Sequence, residues 1–172
     1  VFVMDNRGTD NRGIEFEQAI HHRCGVCEME DQIAGINWLK SHPWVDSERI
    51  GVHGWSYGGF MTISLMTNYP DIFKVGVAGG PVIDWKWYEV MYGERYMGNQ
   101  STNAEGLAST SLIAKAKDLK GKLLICQGAV DDVVLWQHSL NFIDECIKNW
   151  VAVDYFPYPR AQHNVRGKDR VH

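Results

Sequence analysis

The 172 residues predict an α/β fold, a mostly parallel sheet with helices on both faces. Three observations carry that prediction. Short apolar runs bounded by Gly and Pro alternate with longer stretches of helical periodicity. The connections between them are brief, as expected when strands and helices alternate in layers. A Gly-x-Ser-x-Gly sequence falls where one such strand passes into one such helix.

Taken in order, Val1–Asp5 reads as a short apolar strand, entered without an initiator Met or a signal peptide. Asn6–Gly13 is a polar loop punctuated by Gly. Over Glu28–Ser41, Met29, Ile33, Ile36, Trp38 and Leu39 trace a helical stripe, which His42-Pro43 ends. Arg49–Gly54 reads as a buried strand and Ser56–Asn68 as the next helix, with Pro70 beyond it. Val75–Ala78 is a strand stopped by Gly79-Gly80-Pro81. Trp85–Tyr96 and Ser111–Leu119 read as helices, Lys122–Gln127 as a strand, Val134–Asn149 as a long helix and Val153–Tyr158 as the last strand. In such sheets a site lies beyond the carboxyl ends of the strands.

Composition narrows the function. With 17 basic and 21 acidic residues the chain lacks the basic footprint of a nucleic-acid binder. No apolar run approaches the roughly 18 residues of a membrane span. At 45% hydrophobic and 22% charged, the chain is neither disordered nor a coiled coil. Cys24 and Cys27 form a C-x-x-C preceded by His21 and His22, which allows a redox pair or half a metal site. No second pair follows at a ligating spacing, so two small residues at a helix start are the reading preferred, and no metal or cofactor is expected. Cys126 lies in an apolar run and is expected in the core.

The chemistry concentrates at Gly54-Trp55-Ser56-Tyr57-Gly58. Ser56 is placed on a sharp strand-to-helix turn, where Gly54 and Gly58 let neighbouring backbone approach. The Tyr57 N–H and the positive end of the following helix then face a developing oxyanion. A nucleophilic serine needs a base, and the base an orienter. In a strand-turn-helix site of this type they follow in the order Ser, Asp, His. Lys122–Gln127 runs into Asp131-Asp132, and Val153–Tyr158 runs into His163. His53, inside a strand, is expected to be a core residue, and His138, on the long helix, a packing or surface residue.

These pieces resemble the catalytic domain of the prolyl oligopeptidase family of serine peptidases, in the branch of dipeptidyl peptidase IV and bacterial prolyl tripeptidyl peptidase. The resemblance rests on Asp5-Asn6-Arg7-Gly8, Trp44-Val45-Asp46, Gly54 through Gly59, Val75 through Trp85, Tyr88 through Gly98, and Val134 through Ser139, and it covers the whole chain. It implies an α/β-hydrolase fold with Ser56 as nucleophile, Asp131 rather than Asp132 as orienter, and His163 as base. It also implies that the 172 residues are an incomplete fragment. A gating β-propeller, the first strands of the sheet, and a tyrosine that completes the oxyanion hole would lie outside them. A periplasmic or cell-envelope location and a homodimer are further implications. Val133 stands where the dipeptidyl enzymes carry Asn, and Asn164 where Gly often follows the histidine.

Trp85, Tyr88 and Tyr92 recur at helical spacing and are expected to share one face. In the family the matching tyrosines wall the pocket for the residue before the scissile bond, a slot suited to proline. Glu89 is a candidate for the cationic α-amino group of a substrate; a solvated Glu on an exposed helix face, or one paired with Arg95 or Lys86, is the other reading. The function expected is a serine exopeptidase that releases N-terminal di- or tripeptides from peptide substrates. A generic esterase sharing the serine turn and a non-catalytic homologue are the alternatives.

Overall fold

The computed structural model describes residues 1–172. After the loop that opens the chain, a single turn α1 (Ile14–Glu17) and a 3-10 turn lead to α2 (Val26–Lys40). Then come β1 (Gly51–Trp55), α3 (Tyr57–Asn68), β2 (Val75–Gly79), α4 (Val90–Met97), α5 (Ala104–Thr110), β3 (Lys122–Gly128), α6 (Gln137–Lys148), β4 (Asp154–Tyr158) and α7 (Gly167–Val171). The four strands are all parallel and lie side by side in chain order. Each strand is followed by at least one helix, which the parallel pairing requires. No helix is long and apolar enough to cross a membrane.

Gly76, Ala78, Leu123, Ile125 and Gln127 point to one face, set by the pairing of Gly76 with Leu123 and of Ala78 with Ile125. On that face α3 supplies Phe60, Ile63 and Met66, and α6 supplies Phe142 and Cys146, all buried. Gln127 is buried as well, donating to the Val134 carbonyl at 2.7 Å and accepting from Ser139 Oγ. The helices are unevenly shared between the faces. The opposite face presents His53, Val75, Val77, Cys126 and Phe156. It receives only the short α7, which meets Phe156 and Tyr158 through His172. A hollow of about 420 Å³ remains there between Val77, Cys126 and α7. His53 is therefore exposed and Cys126 half-buried, rather than core residues as expected. A strand period of two sends alternate residues to opposite faces, and these two fall on the bare one.

Three expected elements differ. Val1–Asp5 forms no sheet pairing. It lies extended along α2, with Phe2 stacked on Trp38 at 5.9 Å and Gln32 Nε2 reaching the Met4 carbonyl at 3.4 Å. Arg7 fastens the following loop to α2 by donating to both carboxylate oxygens of Asp31 and to Glu30. Trp85–Tyr96 is not one helix: a 3-10 turn over Trp85–Trp87 ends at Tyr88, whose ψ of 161° is extended, and α4 begins at Val90. The Ser111–Leu119 segment is 3-10 over Ile113–Asp118 rather than α-helix.

Candidate active site

The C-terminal ends of the four strands converge. Ser56 follows β1 with φ 62° and ψ −115°, a left-handed conformation that costs a non-glycine residue about 1–3 kcal/mol. The turn is held there by its surroundings. The Ser56 N–H donates to the Gly79 carbonyl at 2.7 Å, and a Cβ on Gly54 would lie 2.2 Å from the Gly58 carbonyl oxygen. The second glycine that permits close approach is Gly59 rather than Gly58. A Cβ on Gly59 would meet the Gly79 carbonyl at 2.7 Å, whereas one on Gly58 would meet nothing within 4 Å. Tyr57 opens α3, so its N–H is among the donors that a helix cannot satisfy internally.

Asp131 follows β3 and is 5% exposed. Its Oδ1 accepts the N–H groups of Val133 and Val134, both at 2.9 Å, and its Oδ2 faces His163 Nδ1 at 2.8 Å. Asp132 is exposed and makes no side-chain contact of this kind. The geometry thus separates two adjacent aspartates by function-relevant burial. With Nδ1 donating to Asp131, the Nε2 of His163 is the nitrogen able to accept a proton. His163 follows β4 on a loop placed by two contacts. Gly128 has no side chain, and a Cβ there would lie 2.2 Å from the Ala161 carbonyl. Trp55 lies across Gly79 and donates its indole N–H to the His163 carbonyl at 3.0 Å. Gly80 packs beside the pair, with a Cβ position 3.2 Å from His163 Cε1 and 3.4 Å from Asp131 Oδ2. Ser56 thus borders Gly79, and Asp131 and His163 border Gly80, while no hydrogen bond joins the Ser56 hydroxyl to His163.

Trp85, Tyr88 and Tyr92 do cluster, though not by sharing a helix face. Trp85 and Tyr92 stack at 6.0 Å and 12°, and Tyr88 meets Tyr92 edge-on at 5.2 Å. Trp85 is buried at the base, with its indole N–H unpartnered, while Tyr88 and Tyr92 are half-exposed. Burial raises both tyrosine hydroxyls above their usual pKa, so they remain neutral donors. The segment leading into Trp85 is pinned from below by His138. It is fully buried, and its Nδ1 accepts the Ile83 N–H at 3.0 Å. Burial pushes its pKa down to about 4, so it is neutral at ordinary pH.

Glu89 is exposed, and its two carboxylate oxygens accept the N–H groups of Met91 and Tyr92 at 2.9 and 2.7 Å, capping α4. Lys86 pairs instead with Asp84 at 3.2 Å. Val133 lies exposed on the Asp131 loop. Cys24 and Cys27 are buried free thiols, with pKa values pushed up to about 12 and 11 mainly by burial. That is the opposite of a reactive redox pair. No group of three or more His, Cys, Asp or Glu residues is arranged to hold a metal ion.

A buried carboxylate bonded to an imidazole, a serine on a strained turn and a helix N-terminal N–H beside it form an arrangement suited to acyl transfer. The profile of the prolyl oligopeptidase family matches residues 1–172. Mouse and human dipeptidyl peptidase 8 are each 35% identical over 170 residues, covering 96% of this chain and 19% of theirs. Trichophyton equinum dipeptidyl peptidase 4 is 36% identical over 170 residues, covering 96% of this chain and 22% of its own. The crystal structure of Porphyromonas gingivalis dipeptidyl peptidase 4 superposes with a TM-score of 0.93 at 37% identity, over 98% of this chain and 24% of that one. A Bacteroides ovatus structure, described as that of a candidate dipeptidyl aminopeptidase IV, superposes at 0.96 with 55% identity and the same coverage. The chain thus spans about a fifth to a quarter of the length of these relatives.

Proposed function

The chain belongs to the prolyl oligopeptidase family, and from that premise we propose that it carries the reactive centre of a serine exopeptidase releasing N-terminal di- or tripeptides by cleavage after proline. Ser56 attacks the carbonyl carbon of the proline itself, breaking its bond to the nitrogen of the next residue. His163 Nε2 takes the serine proton and delivers it to the leaving amine, and Asp131 holds the imidazole in the tautomer this needs. The Tyr57 N–H stabilises the oxyanion, and water releases the acyl group. Tyr88 and Tyr92, half-exposed and packed on each other and on Trp85, supply the apolar aromatic surface proposed to receive the rigid proline ring. Val133, which lacks the amide of Asn, leaves di- versus tripeptide release to be decided by assay.

The observation that carries the reading is the 2.8 Å bond between a buried Asp131 and His163, at the same strand ends as a serine in a strained backbone conformation. In the protein as it is made, Ser56→Ala is expected to abolish fluorophosphonate labelling and to lower turnover on the order of a millionfold, as in other serine peptidases. Asp131→Asn is expected to cost about ten-thousandfold through the wrong tautomer, while Asp132→Asn stays near wild type. Assay on Xaa-Pro and Xaa-Xaa-Pro anilides, with matched acyl esters alongside, distinguishes dipeptide, tripeptide and general esterase chemistry. Turnover that survives Ser56→Ala overturns the assignment.

A further inference from the structure

A buried carboxylate outside the Asp–His pair is engaged with the strained serine turn. Glu28 lies in the first turn of α2 and is 1% exposed. Both of its oxygens accept the Gly25 N–H at 2.9 Å, and Cys27 Sγ lies 3.5 Å from Oε2. No Lys or Arg pairs with it. Its remaining donor is the hydroxyl of Tyr57, 29 residues away in the chain. A carboxylate buried without a cation is costly unless donors surround it, and bonds to an ionised acceptor are about twice as strong as neutral ones. Helix capping explains the Gly25 contact, as Glu at the third helical position closes back on the cap. Capping explains neither the burial nor the Tyr57 contact.

Tyr57 is the residue whose backbone N–H follows Ser56. Its ring is wedged between Phe60 and Trp85, each at 5.6 Å. One end of the residue is thus the amide beside the serine, and the other is tied to α2. We infer that Glu28 is a positioning residue of the reaction. By anchoring the Tyr57 hydroxyl, it fixes the Tyr57 N–H at the height where the oxyanion forms. It also holds the ring against Trp85, the base of the proposed proline slot. This rests on the reading of Ser56 as nucleophile and Tyr57 as oxyanion donor.

The test is a set of variants in the protein as it is made, assayed on a prolyl anilide. Glu28→Met keeps length without an acceptor, and Glu28→Gln keeps one neutral acceptor. Complete loss of an oxyanion donor costs about 10²–10³ in kcat, so a misplaced one should cost about tenfold in Glu28→Met. Glu28→Gln should recover part of that loss, with KM within about twofold of wild type in both. Because Glu28 acts through Tyr57, adding Glu28→Met to Tyr57→Phe should lower kcat no further than Tyr57→Phe alone. Should Glu28→Met lose its cooperative melting transition, Glu28→Gln and Tyr57→Phe, singly and combined, carry the same non-additivity test. A Glu28→Met kcat within twofold of wild type overturns the inference. So does a loss repeated in full on the Tyr57→Phe background. Failure of the underlying reading looks different, since wild-type turnover would then be independent of Ser56.

Discussion

Ile125 on β3 is fully buried beneath α3 and α6, whereas Val77, one strand over and on the opposite face of the same sheet, leaves 36% of its surface in water. The proposed catalytic groups divide between these two environments. Ser56 and Asp131 stand on elements locked from the covered side, through α3 and through the Gln127 network that holds Val134 beside Asp131. The His163 loop is tied from the open side, by Trp55 lying across Gly79. The contrast teaches that global stability and the placement of the histidine draw on different contacts. Each can therefore be perturbed without the other.

The largest expected effect is on stability. Ile125→Ala should cost about 2–5 kcal/mol by urea denaturation, because it opens a cavity in a closed core. Val77→Ala should cost about 1 kcal/mol or less, because little packing is lost at a half-wet position. Equal costs would mean that the two faces are equally supporting. Next is Trp55→Phe, which keeps the ring over Gly79 and removes the hydrogen bond to the His163 carbonyl. Stability should fall by only about 1 kcal/mol, yet turnover should drop several-fold as the imidazole loosens. A loss confined to stability would remove the open face from any role in the site. The smallest perturbation is chemical. Iodoacetamide at pH 8 should modify Cys126 before Cys24, Cys27 or Cys146, as mass spectrometry of peptides would reveal. Burial raises the pKa of all four thiols, but Cys126 is the one that is only half-buried. Its thiolate fraction, and so its rate, should climb as pH rises toward that elevated value.

Much of this was legible because it is local. A strand, a tight turn with Ser and a helix follow one another within twenty residues, and Asp131 and His163 each come directly after an apolar run. What escaped reading was decided by distant partners. Val1–Asp5 has a strand's composition, but strand formation needs a neighbour that composition cannot name. The spacing of Trp85, Tyr88 and Tyr92 mimicked one helix. Glu89 capping α4 breaks that helix, and the rings meet through a bend instead. Glu28 is in sequence only the start of a helical stretch, and the fold alone brings Tyr57 onto it. The roles of Gly59 and Gly128 are likewise visible only once the backbones they admit are in place.

The backbone at Ser56 carries a consequence for how such a chain changes over generations. Glycine occupies a φ of 62° without penalty, so Ser56→Gly is expected to melt higher than wild type while losing the hydroxyl. Folding selection alone therefore pushes this position toward glycine, and only a demand for the hydroxyl holds serine in place. In a lineage that had abandoned the chemistry, position 56 would be among the first to drift. Under the proposed assignment, a serine here, against the preference of the fold, is what continuing use would leave.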